Sequence, residues 1–404
     1  MAGQDDRGVS TLVGAILLFG IILVVYATWQ AAVVPAENKQ VEFDAFQEAG
    51  EDVTELQNAL QRAGAFGVQT STVVHAGARY PPRVLFVNPP PATGTLSTQP
   101  AGDVTFSNVA ATDKDVRDYW NSSERSLAFQ THHVVLRTDY NELRANDLGI
   151  DPSGAVYLAA GTNSVMRDAQ SLVNGNRITL VTVAGGYREG GVTVSPAVRP
   201  VSVSTETISI RNTSGDFTMT VPTRLSEDAW ESINRSQATI DRVSVSGNNV
   251  TITFHDGSYQ LRLSKVALRE PTDAAIDTNT SARYITAANS DAVTVDTSPV
   301  RLVTYTRDKY NNPRGHVSVR FNMTNTSRNT KIADPNGGSC TAVDWNDATS
   351  TSTVRSDADG TAIACLKPTK KNSKEIRVRA TMQDHLASDI STDARSVRFN
   401  VTVV

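Results

Sequence analysis

Cys340 and Cys365 are the two cysteines of this 404-residue chain, and they stand close together near its C-terminal end. In an exported domain such a pair reads as a disulfide. Closing that loop would stabilise the fold by roughly 3 kcal/mol by restricting the unfolded chain. Two buried thiols are the alternative. A metal site needs further ligands, and none stand beside these two at ligand spacing. The six histidines are scattered. His132 and His133 are adjacent in a predicted strand, so they point to opposite faces and cannot chelate one ion together. His75, His255 and His316 have no Asp or Ser motif around them. Asp357-Ala358-Asp359-Gly360 opens like a calcium loop, yet the Glu needed at its twelfth position is absent, and a solvated β-turn is the better reading.

No nucleophile elbow, zinc-protease helix, phosphate loop or dinucleotide fingerprint occurs. Gly185-Gly186 and Gly190-Gly191 flank Tyr187-Arg188-Glu189; no helical pattern follows to meet a phosphate, so a hairpin turn is expected. The sequence thus predicts no catalytic residue, no cofactor and no metal. A triad assembled in three dimensions, on an anchored hydrolase, is the remaining enzymatic reading. Eight Asn-x-Ser/Thr sequons occur, at Asn121, Asn212, Asn234, Asn249, Asn279, Asn322, Asn325 and Asn400. In so Ser- and Thr-rich a chain, chance alone gives about five. Asn249 and Asn400 fall on predicted solvent faces of strands, and some of the eight are expected to carry glycans.

These residues must be positioned by two kinds of element. The first is an uncharged run, Leu12 to Trp29, whose 18 positions span roughly 27 Å as a helix, about the hydrocarbon thickness of a bilayer. A secretory signal would need a basic start and a small-residue cleavage site after the run; here the start is MAGQDDR. Tyr26 and Trp29 stand where interfacial aromatics sit. The run predicts a single membrane anchor, with nearly all the remaining mass on one side. The net charge of −4 gives no nucleic-acid footprint. Basic residues are mostly Arg, and Asp outnumbers Glu about two to one; salt adaptation and high-GC codon bias explain this equally well.

Arg7-Gly8-Val9-Ser10 followed by Leu12-Val13-Gly14-Ala15-Ile16-Leu17-Leu18 resembles the class III signal of archaeal type IV pilin-like proteins. The resemblance implies cleavage by a prepilin peptidase between Gly8 and Val9, with Arg7 and Gly8 recognised and Val9 and Ser10 at the new N-terminus. The apolar helix would stay on the mature protein and could pack against other pilin-like subunits. Bacterial pilins carry a Glu five residues into the mature chain; Val13 stands there, which fits the archaeal pattern. Residues 36 to 270 also resemble haloarchaeal surface proteins with pilin-like N-termini.

Pro35 predicts a kink or break after the anchor. A helical stem follows, with Val53, Leu56, Leu60 and Ala63 lining one face, Glu42, Asp44, Glu51, Glu55 and Arg62 mostly off it, and Gly64-Ala65-Phe66-Gly67 ending it. In the pilin analogy this stem packs on the head; a free-standing spacer is the alternative. From Val68 the period changes to two. Strands are predicted at 68–76, 83–87, 129–137, 155–159, 177–183, 201–211, 217–221, 242–246, 250–255 and 259–263. Short helices are predicted near Asp113–Trp120 and Leu225–Ile233, the latter capped by Ser226 with Trp230 as a core plug. Residues 271 to 297 read as a linker. Val317, Val319 and Phe321, then Val397, Phe399, Val401 and Val403, alternate with polar residues, which predicts a terminal β-sandwich. Arg307-Asp308-Lys309-Tyr310-Asn311-Asn312-Pro313 and Ser356-Asp357-Ala358-Asp359-Gly360-Thr361-Ala362 resemble turn motifs of invasin-type Ig-like domains, modules that act as stalks and spacers on surface adhesins.

The expected protein is therefore mainly β. It comprises a leader (1–8), a transmembrane helix (9–34), a helical stem (35–65), a β-rich ectodomain (66–270), a linker (271–297) and an Ig-like sandwich (298–404). The expected function is display of a pilin-like, membrane-anchored extracellular surface protein, a minor pilin or adhesin subunit. A signal-anchored receptor or spacer that never polymerises is the alternative.

Overall fold

The computed structural model describes residues 6–83, 87–160, 163–269, 280–288, 293–296, 298–325, 330–368, 375–388 and 390–403. Helix α1 (Asp6–Thr28), a π-helical turn (Trp29–Val33) and helix α2 (Val34–Phe66) run on as one rod. Pro35 does not break it. Proline lacks an N–H and its ring crowds the carbonyl four residues back. The wider π turn directly before Pro35 absorbs that conflict. The rod ends at Gly67, whose positive φ of 71° lets its N–H reach Ala63 O at 3.0 Å.

Below the π turn the rod is bare; beyond it one stripe is buried. Val34, Asn38, Glu42, Phe46, Ala49, Val53, Leu56, Leu60 and Ala63 follow steps of three and four and face the β-rich body. The stem is thus a core element and not a free spacer. Glu42, expected off the apolar face, lies on the buried stripe because Val34-Asn38-Glu42-Phe46 keeps a four-residue phase. Gly64 is not a helix stop but a close-packing residue. A Cβ there would lie 2.4 Å from the hydroxyl of buried Ser264. Gly64→Ala should therefore lower stability by about 1–2 kcal/mol although it raises helix propensity by about 1 kcal/mol. Denaturation of the detergent-solubilised chain checks this, and a net gain would refute the packing role.

The body is two sheets packed face to face, with α2 filling one end between them. One sheet runs Thr70–Ser71, Ala197–Ser202, Ser258–Arg269, Ile208–Asn212, Val109–Ala111, with Arg177–Ala184 joined in parallel to Ser258–Arg269 and Val173–Asn174 beside it. The other runs Ile240–Ser246, Asn249–Phe254, Thr218–Pro222, Thr93–Ser107, Leu127–Asp139, Leu148–Ile150, Val156–Ala160, Asn163–Asp168, with Arg188–Gly191 on Thr93–Ser107. The chain at Gly185-Gly186 does not form a hairpin; it crosses from the first sheet to the second. The expected strand over 68–76 shrinks to Thr70–Ser71 plus a bridge at Val74, and 201–211 splits into two strands. Residues 84–86 of the expected strand 83–87 lie outside the described residues. Helices Lys114–Arg117 (α3) and Glu227–Ser236 (α4) are capped by Asp113 and Ser226. Trp230 is fully buried, its indole N–H donating to Thr223 Oγ1 at 3.0 Å.

The C-terminal part is a second sandwich. A four-stranded sheet, Tyr284–Ala287, Val300–Arg307, Thr361–Pro368, Thr330–Ala333, faces a five-stranded one, Val293–Val295, Ser396–Val403, Glu375–Met382, Ser318–Met323, Thr351–Arg355. Phe321, Val378, Phe399 and Leu366 are among the side chains filling it. Two of these strands lie within 271–297, so the expected linker is in part sandwich; Tyr284 and Ile285 are buried side chains, which a solvated linker would not supply.

The two sandwiches share a core. Tyr310, in the loop after Val300–Arg307, packs against Phe129 of the first body at 5.2 Å, and Tyr284 stacks on Tyr119 at 5.0 Å. Buried Asp308 accepts from Ser202 Oγ (2.7 Å), Thr280 Oγ1 (2.6 Å), Tyr310 N (2.8 Å) and Asn312 N (3.0 Å). Asn312 Nδ2 donates to Ser202 Oγ (2.7 Å) and Leu263 O (2.9 Å). The 307–313 segment is therefore an interdomain plug as well as a turn. Burial raises the Asp308 carboxyl above its usual range, although four donors oppose the shift.

The exposed apolar helix and its seat in the head

Arg7, Gly8, Val9 and Ser10 lie in the first turns of α1. From Leu12 to Trp29 the large apolar side chains are exposed: Leu12 63%, Leu17 63%, Val24 66%, Trp29 45%. Among the described residues nothing buries this stretch, which is long and apolar enough to cross a bilayer. An α1 that is apolar all round suits burial in lipid or in a bundle of like helices.

Above the π turn, polar clamps seat the rod in the head. The Glu42 carboxylate is fully buried and accepts from the backbone N–H groups of Asn141 (2.8 Å), Glu142 (2.9 Å) and Leu143 (2.6 Å), and from the Tyr80 hydroxyl. Three converging N–H donors replace the water this charge lost. Burial and the neighbouring Glu42 push the Tyr80 phenol up to about 12, so it stays a donor. Lower on the rod, Arg83 pairs with Glu37, and Gln30 exchanges two hydrogen bonds with the backbone of Val87. Sequence reasoning missed Glu42, Gln30 and Arg83 as a set; the four-residue phase from Val34 is the signal that reveals Glu42.

Cys340 and Cys365 are joined, with Cα atoms 5.5 Å apart. Asn249 and Asn322 are exposed. Asn121, Asn212 and Asn325 use their amides in hydrogen bonds, to Glu124, Asp256 and Glu375 O. Asn234 is half-buried, and Asn279 lies outside the described residues. Asn400, expected on an open strand face, is half-buried in a cleft of about 390 Å³ between the sandwiches, because α3 of the first body overhangs that face. The same cleft brings Asp115, Asp118 and Asp393 near Arg377, Arg379 and Arg398. Burial, then Asp115 and Asp393, raise the Asp118 carboxyl above its usual range. Among the described residues no three His, Cys, Asp or Glu side chains converge as metal ligands. Asp357 Oδ1 accepts from Asp359 N (3.1 Å) and Thr361 N (2.9 Å), an Asx turn in solvent.

His132 and His133 do diverge. His132 Nδ1 lies 3.0 Å from Val183 O, while His133 is buried at 4% exposure beside the Tyr157 ring. Burial, then Arg224 and His132, lower the His133 pKa to about 3. The folded pKa lies below the unfolded one, so stability is complete above about pH 6.5 and falls as pH drops toward 3. The expected loss between pH 6.5 and pH 4 is roughly 3 kcal/mol. His133→Gln should flatten that slope in urea titrations at stepped pH; an unchanged slope would refute the assignment.

No protein-family model matches the chain. An uncharacterized protein of Archaeoglobus fulgidus is 24% identical over 329 residues, covering 79% of this chain and 54% of its own length. The chain thus spans about half the length of the curated relative it matches. Among solved structures, domains 4 and 5 of the S-layer protein SbsC overlap 38% of this chain and 63% of theirs at 9% identity, with a TM-score of 0.20, too low to support any likeness of fold.

Proposed function

We propose that this protein is an extracellular surface protein held in a cell membrane by α1, and that it is displayed as a pilin-like subunit, either a minor pilin or an adhesin. One observation carries the reading: the same unbroken rod is bare through α1 and structural core through α2. Whatever grips α1, lipid or a helix bundle, therefore grips the head without a flexible joint. The Arg7-Gly8 context and a relative in an archaeon fit the archaeal form of the signal. A head of roughly 340 residues is large for a bulk filament subunit and suits a minor or terminal one. In this reading the protein is non-catalytic and its partners are the membrane, a prepilin peptidase and other pilin-like subunits. Exposed Asn249 and Asn322 are the sequons best placed for glycans.

N-terminal sequencing of the native membrane form should return a chain starting at Val9. Replacing Arg7 and Gly8 together should leave an unprocessed form, heavier by the eight-residue leader and retained in the membrane. An intact native start, or unchanged processing in the variant, would remove the peptidase step and leave a plain signal-anchored ectodomain.

A further inference from the structure

We propose a ligand site on the C-terminal sandwich: a diagonal stripe of arginines that binds an acidic polysaccharide. The stripe follows from strand register. Ser396–Val403, Glu375–Met382, Ser318–Met323 and Thr351–Arg355 lie side by side, with alternate residues turned outward. Arg398 stands opposite Arg379, Arg379 opposite Asn322, Arg320 opposite Thr381 and Thr353, and Arg355 opposite Ser318. Arg398, Arg379, Arg320 and Arg355 therefore succeed one another across the four strands. Their Cβ atoms are about 5 Å apart in the opposed pair and about 7–8 Å apart on the diagonals. Arg320, Arg355 and Arg398 are exposed. Among the described residues of these strands, Glu375 is the one acid turned outward, and Arg377 holds it at 2.8 Å.

Like charges directly opposite one another destabilise a sheet. A chain of net charge −4 has acids enough to pair them. Yet among the described residues the Arg320, Arg379 and Arg398 side chains meet no acceptor, and Arg379 Nε is buried without a hydrogen-bond partner. Guanidinium forks held in a row take carboxylate or sulfate groups bidentately. Asn322, Thr353 and Thr381 stand between them, placed for sugar hydroxyls. No aromatic or large apolar side chain of these strands turns outward beside the stripe, so it offers neither a platform for stacked bases nor a wedge for lipid. The complement a second copy could offer is the acidic row on the open side of α2. Three of its four members are engaged within their own chain: Asp44 accepts from Gln40 (2.9 Å), Glu48 lies 3.5 Å from His75, and Glu55 pairs with Arg62 (2.7 Å). At one end of the stripe, Asp115, Asp118 and Asp393 line the same cleft as Arg379 and Arg398 and turn an anionic polymer away from it, toward Arg320 and Arg355.

The choice of partner rests on the head being displayed outside the cell; the affinity itself does not. The full chain in detergent is titrated with sodium polygalacturonate, dextran sulfate and neutral dextran at stepped NaCl. At least one acidic polymer should bind, more weakly as salt rises, and neutral dextran should not. Replacing Arg320, Arg355, Arg379 and Arg398 together with Gln should weaken binding roughly tenfold or more. The same charge change at exposed Arg177, Arg188, Arg211 and Arg242 of the first body should leave it within about twofold. R398Q alone relieves the opposed pair without touching the core; it should weaken binding about threefold and repeats the test if the four-fold variant does not fold. No binding by the parent, or equal loss in the two four-fold variants, overturns the stripe and leaves anchored display standing. Tighter binding to duplex DNA, or parent self-association that the stripe variant abolishes, assigns the face to another partner and also overturns it. A head found on the cytosolic side overturns both readings.

Discussion

Glu42→Ala is expected to destabilise the protein by about 4 kcal/mol, because it strands three backbone donors in a buried site. The donors belong to Asn141, Glu142 and Leu143, consecutive residues held by one carboxylate on the rod. Water cannot easily replace it: Glu42 is 0% exposed and Tyr80 closes over it. Glu42→Gln tests charge separately from shape. It keeps one acceptor but turns an NH2 toward N–H donors, so it should recover less than half of the loss. Urea denaturation of the detergent-solubilised chain gives the magnitude. Amide exchange gives the location, with protection lost first at residues 141–143. A loss below about 1 kcal/mol would mean that the clamp is ornamental and that packing alone holds stem to head.

Tyr310→Ala should cost about 3–5 kcal/mol, the usual range for deleting a buried aromatic. Its more diagnostic effect is on cooperativity. Tyr310 sits in the core of the first body, against Phe129 and 3.2 Å from Thr182 Oγ1, although its chain belongs to the second. With the plug intact, the two sandwiches should melt in one calorimetric transition; without it, in two. Asp308→Ala should split the transition as well, by stranding the donors from Ser202 and Thr280. A single, unshifted transition in both variants would show that the plug does not couple the domains.

How much of this was legible beforehand follows from what each element needs. The N-terminal apolar helix needs no partner to be recognised as a helix, since its run of uncharged apolar residues is a property of consecutive positions. Alternation in the strands 250–254, 317–321 and 397–403 reports a buried face directly. The 15-residue strand Thr93–Ser107 is absent from the expected strands, and Gly94, Pro100 and Gly102 are residues that weaken a strand pattern. It survives because Pro100 sits at a bulge, between the two strands that pair with its second edge at 94–97 and 105–107. Gly64 was misread for the same kind of reason: a small residue in a helix means a break or a close neighbour, and only the neighbour decides.

Local pattern alone determined that the chain is a β-rich protein on one apolar N-terminal helix, because hydrophobic period and length are properties of consecutive residues. Tertiary structure alone decided that the stem is core, that Glu42 bears the joint between stem and head, that 307–313 plugs one sandwich into the other, and that Gln30 grips Val87. Each of those depends on groups more than fifty residues apart in sequence meeting in space, where a buried polar atom must find its partner or the contact does not form.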